Sequence, residues 1–273
     1  MFWGEIYNKN TNTHKEFSLI HLIVKPTVDE THSKAYSNDG VDFETCGWSD
    51  LPCSPMNTDE DSGNIIVLEA GKIAYFTQEK ELTDYSVTSS KENEVFSILE
   101  VITVNNEDPE TQYRNTETKG VLWNTGSLSF STIQFNLRTD SAKEKSLIAS
   151  VDKATSLSFS TLMFRQSNFN SEAFEYSLVY IESGNLKCSN VTINNIKFRS
   201  GFTTFKFTYP TSIRTMMNEG TKPSISIDNC LFNNVTIEEK QEGAELTVYP
   251  SLMSFEGNQV ISVNFNHVNV TDC

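Results

Sequence analysis

The sequence predicts an all-β chain wound into a parallel β-solenoid, a single elongated stack of similar coils. The first observation is a near-duplication, since SLSFSTIQF at 127–135 and SLSFSTLMF at 156–164 begin 29 residues apart. The second is an eight-residue pattern, apolar–polar–apolar–polar–polar–apolar–polar–apolar, whose five copies start 29, 29, 39 and 38 residues apart. Recurrence at a nearly constant spacing is typical of stacked coils. The copies, called octets below, are 128–135, 157–164, 186–193, 225–232 and 263–270.

The middle of each octet predicts a corner in the chain. Apolar and polar residues alternate within each half, which is the period of a strand with one buried face. The alternation slips by one residue between the halves, and a straight strand would turn the second half to the wrong side. The chain must therefore bend there. Ser, Thr, Asp and Asn suit such bends because they bond to nearby backbone, and Asn tolerates left-handed backbone. The predicted corner pairs are Ser131-Thr132, Ser160-Thr161, Ser189-Asn190, Asp228-Asn229 and Asn266-His267.

A second fragment completes each coil. SLIASV (146–151), SLVYIE (177–182) and SLMSFE (251–256) predict short strands that reach the next octet through short polar links. One coil is thus expected to hold three short strands and three bends, with loops at 209–223 and 238–245 in the longer periods. A β-sandwich also gives many short strands, but it requires neither a constant period nor a slip at a constant place.

The two ends of the chain differ from each other. Residues 1–40 do not share the repeat and are predicted to form an N-terminal cap, in which 15–26 forms a strand over the first coil; residues 41–273 form the solenoid. A bare solenoid end exposes unpaired backbone, so a cap is needed. The repeat runs to Cys273 without a visible stop, and we expect the solenoid to be part of a longer protein.

Several segments resemble a known family. The coils at 120–135 and 177–193, the CGWSDLPC element at 46–53 and the apparent first coil NIIVLEAGKIAYF at 64–76 are similar to right-handed parallel β-helix proteins of the pectin lyase-like class. They are most similar to repeat-rich protist surface proteins that resemble polymorphic outer-membrane proteins. The short helix that often follows the Pro-Cys is not visible here. The resemblance implies an extracellular or cell-surface module, adhesive or structural, and a right-handed coil, the hand that crossovers generally prefer.

The charge and hydropathy of the chain argue against nucleic-acid and membrane partners. The net charge is −15 with a pI near 4.7 and no cluster of Lys and Arg, so a nucleic-acid or anionic-membrane partner is not expected. No apolar run approaches the roughly 18 residues of a membrane span. The N-terminus has no basic start followed by an apolar core and does not read as a signal peptide. The partners expected are glycans or surface proteins, with no insertion of this chain into a membrane.

Cysteine and asparagine residues supply candidate modifications. Cys46 and Cys53 are spaced to close a small loop by a disulfide in an exported protein, the alternative being reduced thiols. Cys188 and Cys230 occupy apolar octet slots and are predicted to be buried packing residues. Candidate N-glycosylation acceptors each head an Asn-Val-Thr triplet, at Asn190, Asn234 and Asn269.

No convincing catalytic site is found in the sequence. Asp-Asp, Gly-His-Gly and Arg-x-Lys motifs are absent, and no cofactor or metal site is predicted. The fallback catalytic candidates are Glu182 and Glu256, which share one place in the coil two coils and roughly 10 Å apart, and Asp152, which lies one residue out of frame. Solvated faces explain these carboxylates more simply. The sequence therefore predicts a non-catalytic scaffold or adhesion module, with a polysaccharide lyase or glycoside hydrolase on the same fold as the alternative, and a stalk as a third interpretation.

Overall fold

The computed structural model is all-β in the part of the chain that it describes. That part comprises residues 6–8, 13–15, 65–68, 70–71, 73–76, 79–101, 119–138, 145–166, 172–209, 223–238, 252–257 and 261–273. Two short strands, β1 (Ile6–Asn8) and β2 (Thr13–Lys15), pair with each other in antiparallel fashion. The remainder of the predicted cap, 1–40, lies outside the described residues.

Two parallel sheets form the body of the molecule. The six-stranded sheet contains β5 (Lys80–Glu81), β8 (Gly120–Asn124), β10 (Ser146–Ser150), β12 (Val179–Ile181), β14 (Phe205–Thr208) and β16 (Met253–Glu256). The nine-stranded sheet contains β3 (Ile65–Leu68), β4 (Ile73–Phe76), β6 (Tyr85–Ser89), β7 (Ser97–Val101), β9 (Ser127–Leu137), β11 (Ser156–Gln166), β13 (Asn185–Arg199), β15 (Ser224–Glu238) and β17 (Ser262–Thr271). The chain returns to each sheet once per period, an arrangement that fits a β-solenoid.

The predicted register of the octets is confirmed. Leu128 pairs with Leu157, Leu157 with Leu186, Leu186 with Ile225 and Ile225 with Val263. Equivalent octet positions therefore stack directly above one another, whether the period is 29, 38 or 39 residues.

The predicted corners are present, with one difference in form. The second member of every predicted corner pair has left-handed backbone, with φ between 50° and 57°: Thr132, Thr161, Asn190, Asn229 and His267. Both halves of an octet belong to one continuous bent strand, such as the eleven residues of β11, and not to two separate strands. A single left-handed residue restores the inward direction of the alternating side chains without breaking the ladder.

A second corner follows the octet in the later coils and was not predicted. Asn195, Asn234 and Asp272 also have left-handed backbone, with φ of 51–54°. They follow Asn194, Asn233 and Thr271, which stack on one another. β13 and β15 therefore bend twice and present three arms to the interior, which is why each reaches 15 residues.

One earlier coil has its corner opened by an insertion. β6 pairs with the first half of β9, and β7 pairs with the second half, so residues 90–96 loop out where the corner would be. The loop is tied back to the next coil, because the Asn93 backbone N–H donates to Thr132 Oγ1 at 3.0 Å. The interruption hides the octet pattern in the sequence of this coil.

The core is a column of octet side chains. The sixteen apolar slots of the first four octets are each at most 2% exposed. Phenylalanines stack along this column, with Phe135 and Phe164 ring centroids 5.1 Å apart and nearly parallel. Each coil buries its apolar residues against the coils above and below, so the stack and not the single coil forms the core.

The corner geometry predicts that Thr161→Asn stabilises the protein. A β-branched residue in left-handed backbone costs about 1 kcal/mol more than Asn, so the free energy of unfolding should rise by about 0.5–1 kcal/mol in urea melts. Thr192→Asn, the same change at an extended position of β13, is the control and should be neutral or slightly destabilising. Destabilisation by Thr161→Asn beyond that of the control would contradict the corner assignment.

Burial predicts that alanine substitutions at two equivalent octet slots lower the free energy of unfolding by very different amounts. Phe159 is fully buried, whereas Phe265, the same octet position in the last coil, is 51% exposed. Phe159→Ala should lower the free energy of unfolding by about 3–5 kcal/mol, and Phe265→Ala by less than about 1 kcal/mol. Thermal and urea melts of the two variants measure this; equal losses would show that the last coil is as well covered as the others.

Candidate functional surface

The outward side chains of the first octet arm form a flat face of small polar groups, here called the serine face. Three columns run through the last five coils, and 13 of the 15 positions are Ser or Asn; the exceptions are Lys187 and Asp228. Strands in neighbouring coils lie about 4.8 Å apart, so each column repeats hydroxyl and amide groups at that spacing. The columns are Ser127–Ser156–Asn185–Ser224–Ser262, Ser129–Ser158–Lys187–Ser226–Asn264 and Ser131–Ser160–Ser189–Asp228–Asn266.

Asparagine side-chain amides near the two corners form hydrogen bonds with the equivalent amides of the next coil. Asn229 Nδ2 donates to Asn190 Oδ1 at the first corner. At the second corner Asn233 Nδ2 donates to Asn194 Oδ1 at 2.8 Å, and Asn234 Nδ2 donates to Asn195 Oδ1 at 2.9 Å. These ladders tie the left-handed residues of successive coils together, so we assign them a structural role.

The serine face differs from the asparagine ladders in having unused hydroxyls. Within the described coils, no side-chain hydrogen bond occupies the hydroxyls of Ser158, Ser160 or Ser226, and all three are half-buried. Ser129, by contrast, donates to Ser86 Oγ at 3.0 Å. These three hydroxyls can therefore donate to a ligand or accept from it, and no side-chain hydrogen bond within the described coils has to break first.

The three candidate glycosylation acceptors occupy different environments. Asn190 is exposed at a corner, and Asn269 is exposed on β17. Asn234 is half-buried, and its Nδ2, the atom that a glycan would use, donates to Asn195. A glycan on Asn234 would be attached to the nitrogen that bonds to Asn195, whereas Asn269 Nδ2 makes no side-chain hydrogen bond within the described residues. All three remain predictions.

Two of the carboxylates named as fallback catalytic residues lie on one outward column of the six-stranded sheet. Thr208 pairs with Glu256, and Glu182 continues the same register one coil earlier. Tyr180 donates its phenol hydrogen to Glu182 Oε2 at 3.0 Å, and Lys206 Nζ lies 2.9 Å from Glu256 Oε1. The pKa of Tyr180 is raised to about 12, mainly by burial and to a smaller extent by the negative charge of Glu182. The sequence did not indicate Tyr180 and Lys206.

Asp152, the third fallback residue, is not part of this group. It is exposed, has left-handed backbone (φ 55°) and follows β10 in the turn towards β11. Ser150 O accepts the Glu182 N–H at 3.0 Å, so Asp152 lies beyond the column. Within the described residues no three His, Cys, Asp or Glu side chains are placed to hold a metal ion.

The described cysteines are free thiols in two environments. Cys188 and Cys230 are buried, as predicted, and Cys273 is exposed. Burial raises the pKa of the Cys188 thiol well above its ordinary value, and neighbouring Cys230 adds to the rise. Burial also raises the pKa of Cys230. Cys46 and Cys53, the candidate disulfide, lie outside the described residues.

Comparisons with known proteins add no relative. Neither the family models nor the curated proteins nor the solved structures include a match to this chain. Among the described residues, no helix has the length and apolar character needed to cross a membrane. Function must therefore be argued from the surfaces described above.

Burial predicts that the cysteines react at different rates. In a Cys46→Ser/Cys53→Ser variant, a maleimide at pH 7 should label Cys273 first, and Cys188 and Cys230 at least about tenfold more slowly, because a higher pKa leaves less thiolate and the core blocks access. Peptide mapping by mass spectrometry gives the order of labelling. Adding urea above the unfolding midpoint is the control and should equalise the rates; fast labelling of Cys188 in the folded protein would contradict the octet assignment.

Proposed function

We propose that this chain is a right-handed parallel β-helix that serves as a non-catalytic extracellular or cell-surface scaffold and adhesion module, presenting its polar ladders to glycans or proteins. The observation that carries the proposal is the serine face. Its hydroxyls repeat with the coil spacing, and several have no partner within the described coils.

A repeated hydroxyl face suits a ligand that is itself repetitive and rich in hydroxyls. Each hydrogen bond between neutral groups contributes only about 0.5–1.5 kcal/mol net, so one serine binds weakly. A regular column allows many such bonds to form together on one rigid surface. The hand of the coil is part of the proposal and rests on the general preference of parallel crossovers for the right-handed path.

A glycan array tests the adhesive function. The full chain should bind one or more polysaccharides, and Ser158→Gln/Ser226→Gln should weaken that binding at least about tenfold, because two unused hydroxyls are replaced by larger side chains that project from the flat face. In unglycosylated protein, Thr192→Gln/Thr236→Gln makes the same kind of change on outward positions beyond the first corner and should leave binding unchanged. Binding that survives the serine changes would refute the serine face as the site, and an equal loss in the control pair would refute it as well.

The second candidate, a carbohydrate-active enzyme, is favoured by one observation. Glu182 and Glu256 share an outward column, and Tyr180 bonds to the first of them. Two coil spacings separate the glutamates by about 10 Å, slightly more than the roughly 6.5–9.5 Å of inverting glycosidases. Glu256 is also paired with Lys206, which suits a solvated ion pair as well as a catalytic carboxylate.

Turnover assays on the polysaccharides that bind separate the two functions. The non-catalytic scaffold predicts no reducing sugar and no unsaturated product above the level of a heat-denatured sample. If product forms and Glu182→Gln removes it while binding persists, the enzyme replaces the scaffold as the function. Absence of both binding and turnover would favour a stalk.

A further inference from the structure

The six-stranded sheet carries two partly exposed aromatic side chains in one outward column, which runs beside the column of Glu182 and Glu256. Trp123 pairs with Ala149, and Ala149 pairs with Tyr180. The two aromatic residues therefore lie two coil spacings, about 10 Å, apart along the stack. Ala149 between them is fully buried, whereas Trp123 and Tyr180 are half-buried. Trp123, Tyr180 and the adjoining Glu182 are called the aromatic face below.

Some polar atoms of the aromatic face have no partner within the protein. Tyr180 donates its phenol hydrogen to Glu182 Oε2 at 3.0 Å, which leaves Glu182 Oε1 without a hydrogen bond to any described residue. The Trp123 indole N–H likewise makes no hydrogen bond within the described residues, although such a group usually finds a partner when it is buried. The face therefore offers a donor and an acceptor beside its two rings.

The charge around the aromatic face is negative. The aromatic column and the neighbouring column of Glu182 together carry three carboxylates, those of Glu81, Glu182 and Glu256, and one ammonium group, that of Lys206. Lys206 Nζ lies 2.9 Å from Glu256 Oε1, so these two charges offset each other. The net charge of −15 adds a negative potential over the whole molecule. A ligand with positive charge is therefore complementary to this face.

Aromatic rings beside a carboxylate suit a ligand that is both ring-shaped and cationic. A cation within about 6 Å of the centroid of a Trp or Tyr ring is attracted by the negative face of that ring. Aromatic side chains also pack against the apolar face of a sugar ring while nearby polar groups fix its orientation. An amino sugar combines these features, since its ring can lie on an aromatic side chain while its ammonium group reaches a carboxylate. Because the two aromatic residues lie about 10 Å apart, a chain of such sugars can contact both.

We propose that the aromatic face binds an oligosaccharide of amino sugars that runs along the stack, with sugar rings on Trp123 and Tyr180 and an ammonium group on Glu182. The inference rests on the proposed adhesive function, for which it names a class of glycan, but it uses a different surface from the serine face. The serine face offers mainly uncharged hydroxyl and amide groups, whereas the aromatic face selects for positive charge.

Calorimetric titration of the full chain with a glucosamine hexamer tests the proposal, at about pH 6, where carboxylates stay ionised. The fully N-acetylated hexamer has the same rings without the charge and should bind at least about tenfold more weakly. Glu182→Gln and Trp123→Leu should each weaken binding of the charged hexamer at least about fivefold. Glu94→Gln removes the same charge from an exposed residue in the loop between β6 and β7. It is the matched control and should leave the dissociation constant unchanged.

The possible results separate this inference from the proposed function. If Ser158→Gln/Ser226→Gln removes hexamer binding while Glu182→Gln and Trp123→Leu do not, the adhesive function stands and the aromatic face is overturned as the site. Absence of hexamer binding, or equal binding of the charged and N-acetylated hexamers, overturns the inference whatever other glycans bind.

Oligolysine of equal charge is the test for a basic protein as the ligand. If oligolysine binds as tightly as the glucosamine hexamer and depends equally on Glu182 and Trp123, the face recognises a basic protein and the amino-sugar inference is overturned. Much weaker binding of oligolysine supports the amino sugar. Circular dichroism melts close to those of the unchanged chain show that the variants are folded.

Discussion

The structure depends on one backbone constraint, the left-handed residue at the octet corner. Alternating side chains can face a single interior along a bent strand only if the alternation slips at the bend, and one residue with φ near 50–57° produces that slip in each of five coils. Because the slip recurs at the same place, every coil presents its apolar residues in the same positions. The phenylalanine column and the asparagine ladders are consequences of that repetition.

Surface chemistry follows from the same constraint. Outward side chains repeat from coil to coil, so a single serine becomes a column, and three such columns form the serine face. Near the corners the polar groups bond to each other and stabilise the stack, whereas the hydroxyls of Ser158, Ser160 and Ser226 on the flat first arm have no side-chain hydrogen bond within the described coils.

The sequence alone predicted the octet strands, their register and the first corner, because these depend on residue types that repeat along the chain. It did not reveal the second corner at Asn195 and Asn234, although the Asn-Asn pairs there are visible once the first corner is understood. The coil of β6 and β7 was missed because residues 90–96 separate the halves of its octet. Tyr180 and Lys206 could not be predicted, since their place beside Glu182 and Glu256 depends on the pairing of short strands.

The register of stacked coils is the central claim, and cross-linking of adjacent coils measures it most directly. In a chain that retains Cys188 and has its other cysteines replaced, Ser158→Cys and Lys187→Cys place two thiols side by side on the serine face, while Cys188 points into the core. A bis-alkylating reagent of minimal length should join position 158 to position 187, as identified by peptide mapping. A cross-link from position 158 to Cys188, or none between folded coils, would contradict the 29-residue register.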